Sequence, residues 1–241
     1  MSTDLQESES HRVSTWRSWI LLLLIAPLLL LAVTFGAVFL IVAEAGGDSS
    51  VIPRELSVWF PYIAMVNHTL LFLFAVRLAR ADGFSLGQLG WKQYEKTWML
   101  EIVIGILAGL AIYLIQTHVA EPTITAIRTS LQVGTLWPAA TPVLTLNIAG
   151  LIAGTFFAGI VEETVYRGYI QRQLTARLGT IVGILVTTLG FAVGLHWGLG
   201  PWSIIVVFLN GLLLALLFEW RRNLVACALA HAVINALVVT M

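Results

Sequence analysis

The sequence predicts an all-α fold, a polytopic transmembrane helical bundle of about seven helices. Three observations carry that prediction. The chain is 59% hydrophobic and only 11% charged, with a mean hydropathy of +0.90, whereas a soluble domain carries about 25% charged residues. Too little polar surface is left to cover a water-soluble globule. Apolar stretches near the length of about 20 residues that a helix needs to cross hydrocarbon recur along the chain. The basic residues between them segregate to alternate sides.

Taken in order, the apolar stretches fall at roughly 19–43, 56–76, 98–118, 142–166, 179–197, 201–220 and 223–240. The first follows a polar tail with Asp4, Glu7 and Glu9. It is longer than the roughly 7–15 apolar residues of a signal peptide, so it reads as a retained span. Turn chemistry separates the stretches: Gly46-Gly47-Asp48, Asp82-Gly83, Gly179, Gly200-Pro201, and Asn223 as a cap for the last helix. Residues 121–140 could hide an eighth span, but Glu121-Pro122, Arg128 and Pro138 favour an external loop, with at most an interfacial piece.

Eleven basic residues fall on the side of the N-terminus: Arg12, Arg17, Arg77, Arg80, Lys92, Lys96, Arg167, Arg172, Arg177, Arg221 and Arg222. Two, Arg54 and Arg128, fall on the other. This bias places the N-terminus in the cytoplasm and the C-terminus outside, with the plasma membrane as the expected location. The chain divides into a polar cytoplasmic tail (1–18), N-terminal transmembrane helices (19–140) and a four-helix transmembrane core rich in polar residues (141–241). The formal net charge is zero and no basic stripe with interleaved aromatics occurs, which argues against a nucleic-acid partner. The single cysteine, Cys227, has no disulfide or metal-knuckle partner and reads as a small core hydrophobe.

A charge near the bilayer centre costs roughly 2.5–3.5 kcal/mol on insertion scales, so polar residues in spans need a partner or a function. Glu163 and Arg167 are four apart on helix four and can pair, which leaves Glu162, about 100° away, to face something else. The bland alternative is a structural ion pair with one extra carboxylate. His196 ends the fifth stretch, and His231 and Asn235 share a face of the seventh. Each taken alone reads equally well as helix–helix contact. If helix four runs to about residue 178, Glu162 lies 17 residues before Gly179 and His196 lies 17 after it. Both then sit roughly 25 Å from the turn, at one height. His231 is nine residues past Arg222 and reaches a similar depth. His68 with Asn67, Glu101, Asn147 and Asn210 read as interhelical contacts, and His11 and His118 as loop residues.

Such a cluster suits peptide hydrolysis, which needs an activated water, a stabilised oxyanion and a proton for the leaving amine. Glu162 can serve as base, the histidines can hold water or donate protons, and Asn235 can donate to the oxyanion. Two His and one Glu also match some catalytic zinc sites, with Glu162, His196 and His231 as the candidate ligands. No G-x-S-x-G elbow supports a serine nucleophile.

Glu162-Glu163-x-x-x-Arg167 with Gly168, then His196, then His231-x-x-x-Asn235 resembles the CPBP family of CAAX prenyl endopeptidases and Abi-type bacteriocin-processing enzymes, over about residues 145–240. The resemblance implies an intramembrane endopeptidase, of a family commonly labelled metalloprotease, in which Glu162 activates water and His196 helps hold it. His231 and Asn235 would complete the site, with Arg167 in support. The substrate would be a peptide or lipid-modified protein, with membrane lipids as surroundings. One departure stands out: the family's phenylalanine four residues before the histidine is Ala192 here, and Phe191 stands one further back. The metal-free arrangement uses each residue where its register places it and is favoured over zinc. A proton-coupled transporter and a non-catalytic scaffold or immunity protein are the competing functions.

Overall fold

The computed structural model describes residues 15–91, 98–131, 150 and 152–240. Seven long helices stand among these residues, one for each expected apolar stretch. They are α1 (Trp16–Glu44), α2 (Ser49–Ala81), α3 (Trp98–Ser130), α4 (152–178), α5 (Thr180–His196), α6 (Pro201–Arg221) and α7 (Leu224–Thr240). Five helices, Trp16–Glu44, Ser49–Ala81, Trp98–Ser130, Thr180–Leu199 and Pro201–Arg221, are long and apolar enough to cross a membrane. The start of the fourth stretch, the N-terminal tail with His11, and Asn147 lie outside the described residues.

Residues 121–130 correct the sequence reading. They continue α3 instead of forming a loop, and His118 is helical with them. Pro122 lacks the N–H that would bond four residues back. A wider π turn at Gln116–Ala120 directly before it absorbs that defect. Glu121 is satisfied locally, accepting from Gln116 Nε2 at 2.7 Å. The same device recurs in α1, where a π turn at Leu21–Ile25 precedes Pro27.

The α4–α5 hairpin turns at Gly179, whose φ of 83° is one that a side chain rarely tolerates. α4 is the interior strut. Every residue from Glu163 to Gln171 is buried, so its polar side chains meet protein on all sides. Large apolar residues of the outer helices, such as Phe35, Phe39, Ile181 and Leu189, are exposed and suited to lipid. At the end of the bundle rich in basic residues, Asp82 closes α2 and accepts from Tyr169 Oη at 2.6 Å, from Gln173 Nε2 at 3.0 Å and from Arg17. Arg221 grips Glu101 at 2.5 and 3.3 Å, tying α6 to α3. Asn223 caps α7 by accepting from the Val225 N–H at 2.7 Å.

α7 is clasped between α3 and α4 through small residues. Gly105 and Gly109 form a Gly-x-x-x-Gly stripe on α3 against Ala226 and Ala230, the motif that lets membrane helices approach backbone to backbone. A Cβ at Gly109 would stand 2.7 Å from both the Ala230 carbonyl oxygen and Val233 Cβ. Gly109→Ala should therefore force α3 and α7 apart at a cost of about 1–3 kcal/mol. Gly36→Ala, with nothing within 4 Å, should leave stability unchanged. Thermal unfolding of the two purified variants in detergent checks the contrast.

Candidate active site

The site grows from α4. The Glu163 carboxylate lies 3.2 Å from Arg167 Nη1, with the two side chains 0% and 1% exposed. Arg167 Nη2 donates to the Gly211 carbonyl on α6 at 2.9 Å, and its guanidinium lies 4.5 Å from the centre of the Phe191 ring on α5. His231 on α7 donates from Nδ1 to Glu163 Oε1 at 2.8 Å. Three helices thus converge on one ion pair, and each supplies a different kind of contact: a carbonyl, an aromatic face and an imidazole.

Glu162, one residue earlier, faces a different set. Its Oε1 lies 2.8 Å from His68 Nε2. Its Oε2 lies 3.7 Å from His231 Nε2 and makes no hydrogen bond to the described residues. At that separation the two atoms are too far apart to bond directly, yet close enough to address one small molecule. His196 is coupled electrostatically to Glu162. Its Nδ1 donates to the Phe191 carbonyl at 3.2 Å, which leaves Nε2 uncommitted among the described residues. The His68 ring also donates from Nδ1, to the Ala64 carbonyl at 2.7 Å. Carbonyl and carboxylate oxygens only accept, so the tautomer of each imidazole follows from its partner. All three histidines commit Nδ1, and Nε2 of His68 and of His231 faces Glu162.

Glu162, Glu163, Arg167, His196 and His231, singled out in the sequence, are brought together. Asn235 stands differently. Its Nδ2 donates to the Gly154 carbonyl at 2.6 Å, tying α7 to the start of α4, and one amide hydrogen remains for another acceptor. Phe191 explains the displaced phenylalanine. Its ring packs edge-on to His196 at 4.7 Å and Tyr166 at 5.0 Å, so aromatic support comes from one position earlier than the family's pattern. His68 is the functional candidate that sequence reading passed over. The available signal was an intramembrane histidine in an otherwise apolar span, which reads as readily as a helix contact. That contact reading describes the actual partners of Asn210, which donates to Gln116 at 2.7 Å, and of Glu101. Cys227 is buried in the core.

A zinc ion would need Glu162, His196 and His231 to direct donors at one point about 2.0–2.2 Å away. As arranged, Glu162 Oε1 is engaged by His68 and the Glu163 carboxylate by Arg167 and His231. No three His, Cys, Asp or Glu side chains among the described residues are placed to share an ion. The donor set does not fit a metal in this arrangement, and no step below passes through one. A cavity of about 480 Å³ opens elsewhere, lined by Arg172, Thr175, Ala176, Thr180 and Arg222.

The chemistry on offer is therefore a buried carboxylate with one anchored and one open oxygen, flanked by imidazole nitrogens that can hold or pass a proton. Among proteins of known type, residues 144–237 match the family model for type II CAAX prenyl endopeptidase Rce1-like proteins. No curated protein and no solved structure matches the chain. The acid pair, Arg167, His196, His231 and Asn235 all fall inside the matched segment. Over those residues the chain is similar to CAAX-type proteases of the CPBP family.

Proposed function

We propose that the protein is an intramembrane endopeptidase that hydrolyses a peptide bond of a membrane-associated, lipid-modified protein or peptide. The observation that carries this reading is the open Oε2 of Glu162, 3.7 Å from His231 Nε2 and without a hydrogen bond to the described residues. Water bound there gives a proton to Glu162 while its oxygen attacks the scissile carbonyl carbon. Electrons move onto the carbonyl oxygen, and the resulting oxyanion is stabilised by the remaining amide hydrogen of Asn235 and by His231 in its imidazolium form, which donates from Nε2 while Nδ1–H stays on Glu163. The C–N bond then breaks as the proton held by Glu162 passes to the leaving amine. His196 holds the water from the opposite helix of the hairpin. Glu163 keeps the His231 ring oriented, and Arg167 holds Glu163 in place.

Glu162→Gln removes the base and preserves the shape, so turnover should fall by about 10²–10⁴-fold with substrate binding retained. Cleavage of a farnesylated peptide by purified protein measures this directly. Comparing membrane proteomes of cells expressing either form should show an uncut protein accumulating with the variant. Equal cleavage by both forms would remove the protease reading. A scaffold would keep its phenotype with Glu162→Gln, and a proton relay would instead change proton flux in reconstituted vesicles.

We place the N-terminus in the cytoplasm, on the strength of the basic-residue bias. Reporter fusions at Asp48 and Arg128 should read external and one at Lys92 cytoplasmic; the reverse pattern would invert the topology.

The metal-free arrangement is our preferred one because it uses each residue where its register places it and needs no further carboxylate as base. Activity of purified protein should then survive exhaustive chelation. Stoichiometric zinc, with activity lost on chelation and restored by zinc alone, would overturn it.

A further inference from the structure

His68 lies on α2, outside the segment that matches the protease family, yet it makes the shortest contact to the acid at the centre of the site. We infer that His68 is a positioning residue for Glu162: it holds Oε1 and so fixes where Oε2 is presented. The assignment rests on the protease reading above and deepens it, because it makes the N-terminal helices part of the site.

The ring is held at both ends. Nδ1 donates to the Ala64 carbonyl one turn back at 2.7 Å, and Nε2 meets Glu162 Oε1 at 2.8 Å. With Nδ1–H committed, the Nε2–Oε1 bond carries a proton of its own, as imidazolium with carboxylate or as imidazole with carboxylic acid. The last torsion of a glutamate is broad and nearly unrestricted. Anchoring one oxygen therefore determines the place of the other. That other oxygen is the one with no hydrogen bond to the described residues, facing His231 Nε2.

The register of α2 puts the ring there. His68 lies on the buried stripe Pro61, His68, Leu71, Ala75 and Ala79, so it faces inward toward α4 and not lipid. Ordinary polar contacts in this bundle look different. Asn210 joins Gln116, and Gln116 in turn satisfies Glu121, in a chain of partners that includes neither Glu162 nor Glu163. His68 instead engages one oxygen of a carboxylate whose second oxygen faces another imidazole. Orienting partners of this kind sit behind many reactive groups, and their loss acts through the group they aim.

The test uses the full-length chain in detergent and three substitutions, His68→Ala, His68→Asn and His68→Gln. The amide of glutamine reaches the position of Nε2 and can donate to Glu162. The amide of asparagine reaches only the position of Nδ1 and bonds Ala64. With a farnesylated peptide as substrate, kcat should fall about 10²-fold in the Ala and Asn variants, the scale of a misaimed group. KM should be unchanged, and glutamine should restore most of the rate. Thermal midpoints serve as the folding control, and where the alanine variant does not fold, the Gln–Asn comparison decides. Wild-type kcat in His68→Ala, or equal impairment by Gln and Asn, would overturn the assignment while Glu162→Gln remained inactive. A wild-type chain indistinguishable from Glu162→Gln would overturn the protease reading and this inference with it.

Discussion

The Glu163–Arg167 ion pair sets the terms for the rest of the bundle. Both side chains are essentially without solvent exposure, and the desolvation of two such charges is only repaid if the remaining hydrogen-bonding capacity is met. Breaking one side of a buried pair costs about 3–5 kcal/mol, because the other charge is left uncompensated. α4 therefore cannot lie against lipid. It must be enclosed, and the enclosing helices must each bring a polar or aromatic group to the pair. Gly211 on α6, Phe191 on α5 and His231 on α7 do so.

Enclosure has a steric consequence. Helices that surround a central strut at close range need small residues where they touch. The stripes Gly105–Gly109 on α3 and Ala226–Ala230 on α7 supply them, as does Gly159 on α4 against the Ala228 carbonyl. Gly211 does the same at the pair itself: a Cβ there would stand 3.3 Å from Arg167 Nη2 and 3.0 Å from the Phe191 ring. Space, charge and hydrogen bonding are thus settled by the same residues. The position of His231 depends on this packing as much as on its own sequence neighbours.

What the sequence disclosed was local or nearly so. Helix existence followed from runs of apolar residues, and the Glu163–Arg167 pairing from a four-residue spacing. Long-range features were harder. His68 meets Glu162 across 94 positions, and nothing in the neighbourhood of either residue encodes that meeting. The continuation of α3 past Pro122 was misread for a different reason. The defect a proline introduces is visible in sequence, but the π turn that absorbs it is a backbone adjustment with no residue signature. Asn235 shows the limit of side-chain chemistry as a guide. An amide suits an oxyanion, and it suits a helix carbonyl equally well, and the Gly154 carbonyl holds one of its hydrogens.

Two adjacent glutamates in one helix are tuned by geometry to opposite ends. Glu163 faces a guanidinium that cannot give up its proton under any physiological condition, and its place is fixed by that cation together with His231. Glu162 faces imidazoles, whose protons are mobile near neutrality. A carboxylate bound to a permanent cation is a poor base, because accepting a proton would strand the cation in a buried site. A carboxylate bound to an imidazole can accept a proton while the imidazole adjusts its own charge. On the proposed reading this difference assigns the roles: Glu163 fixes His231 and Glu162 moves the proton. Exchanging the two environments would exchange the two roles, so it is the surroundings and not the residue type that select the base.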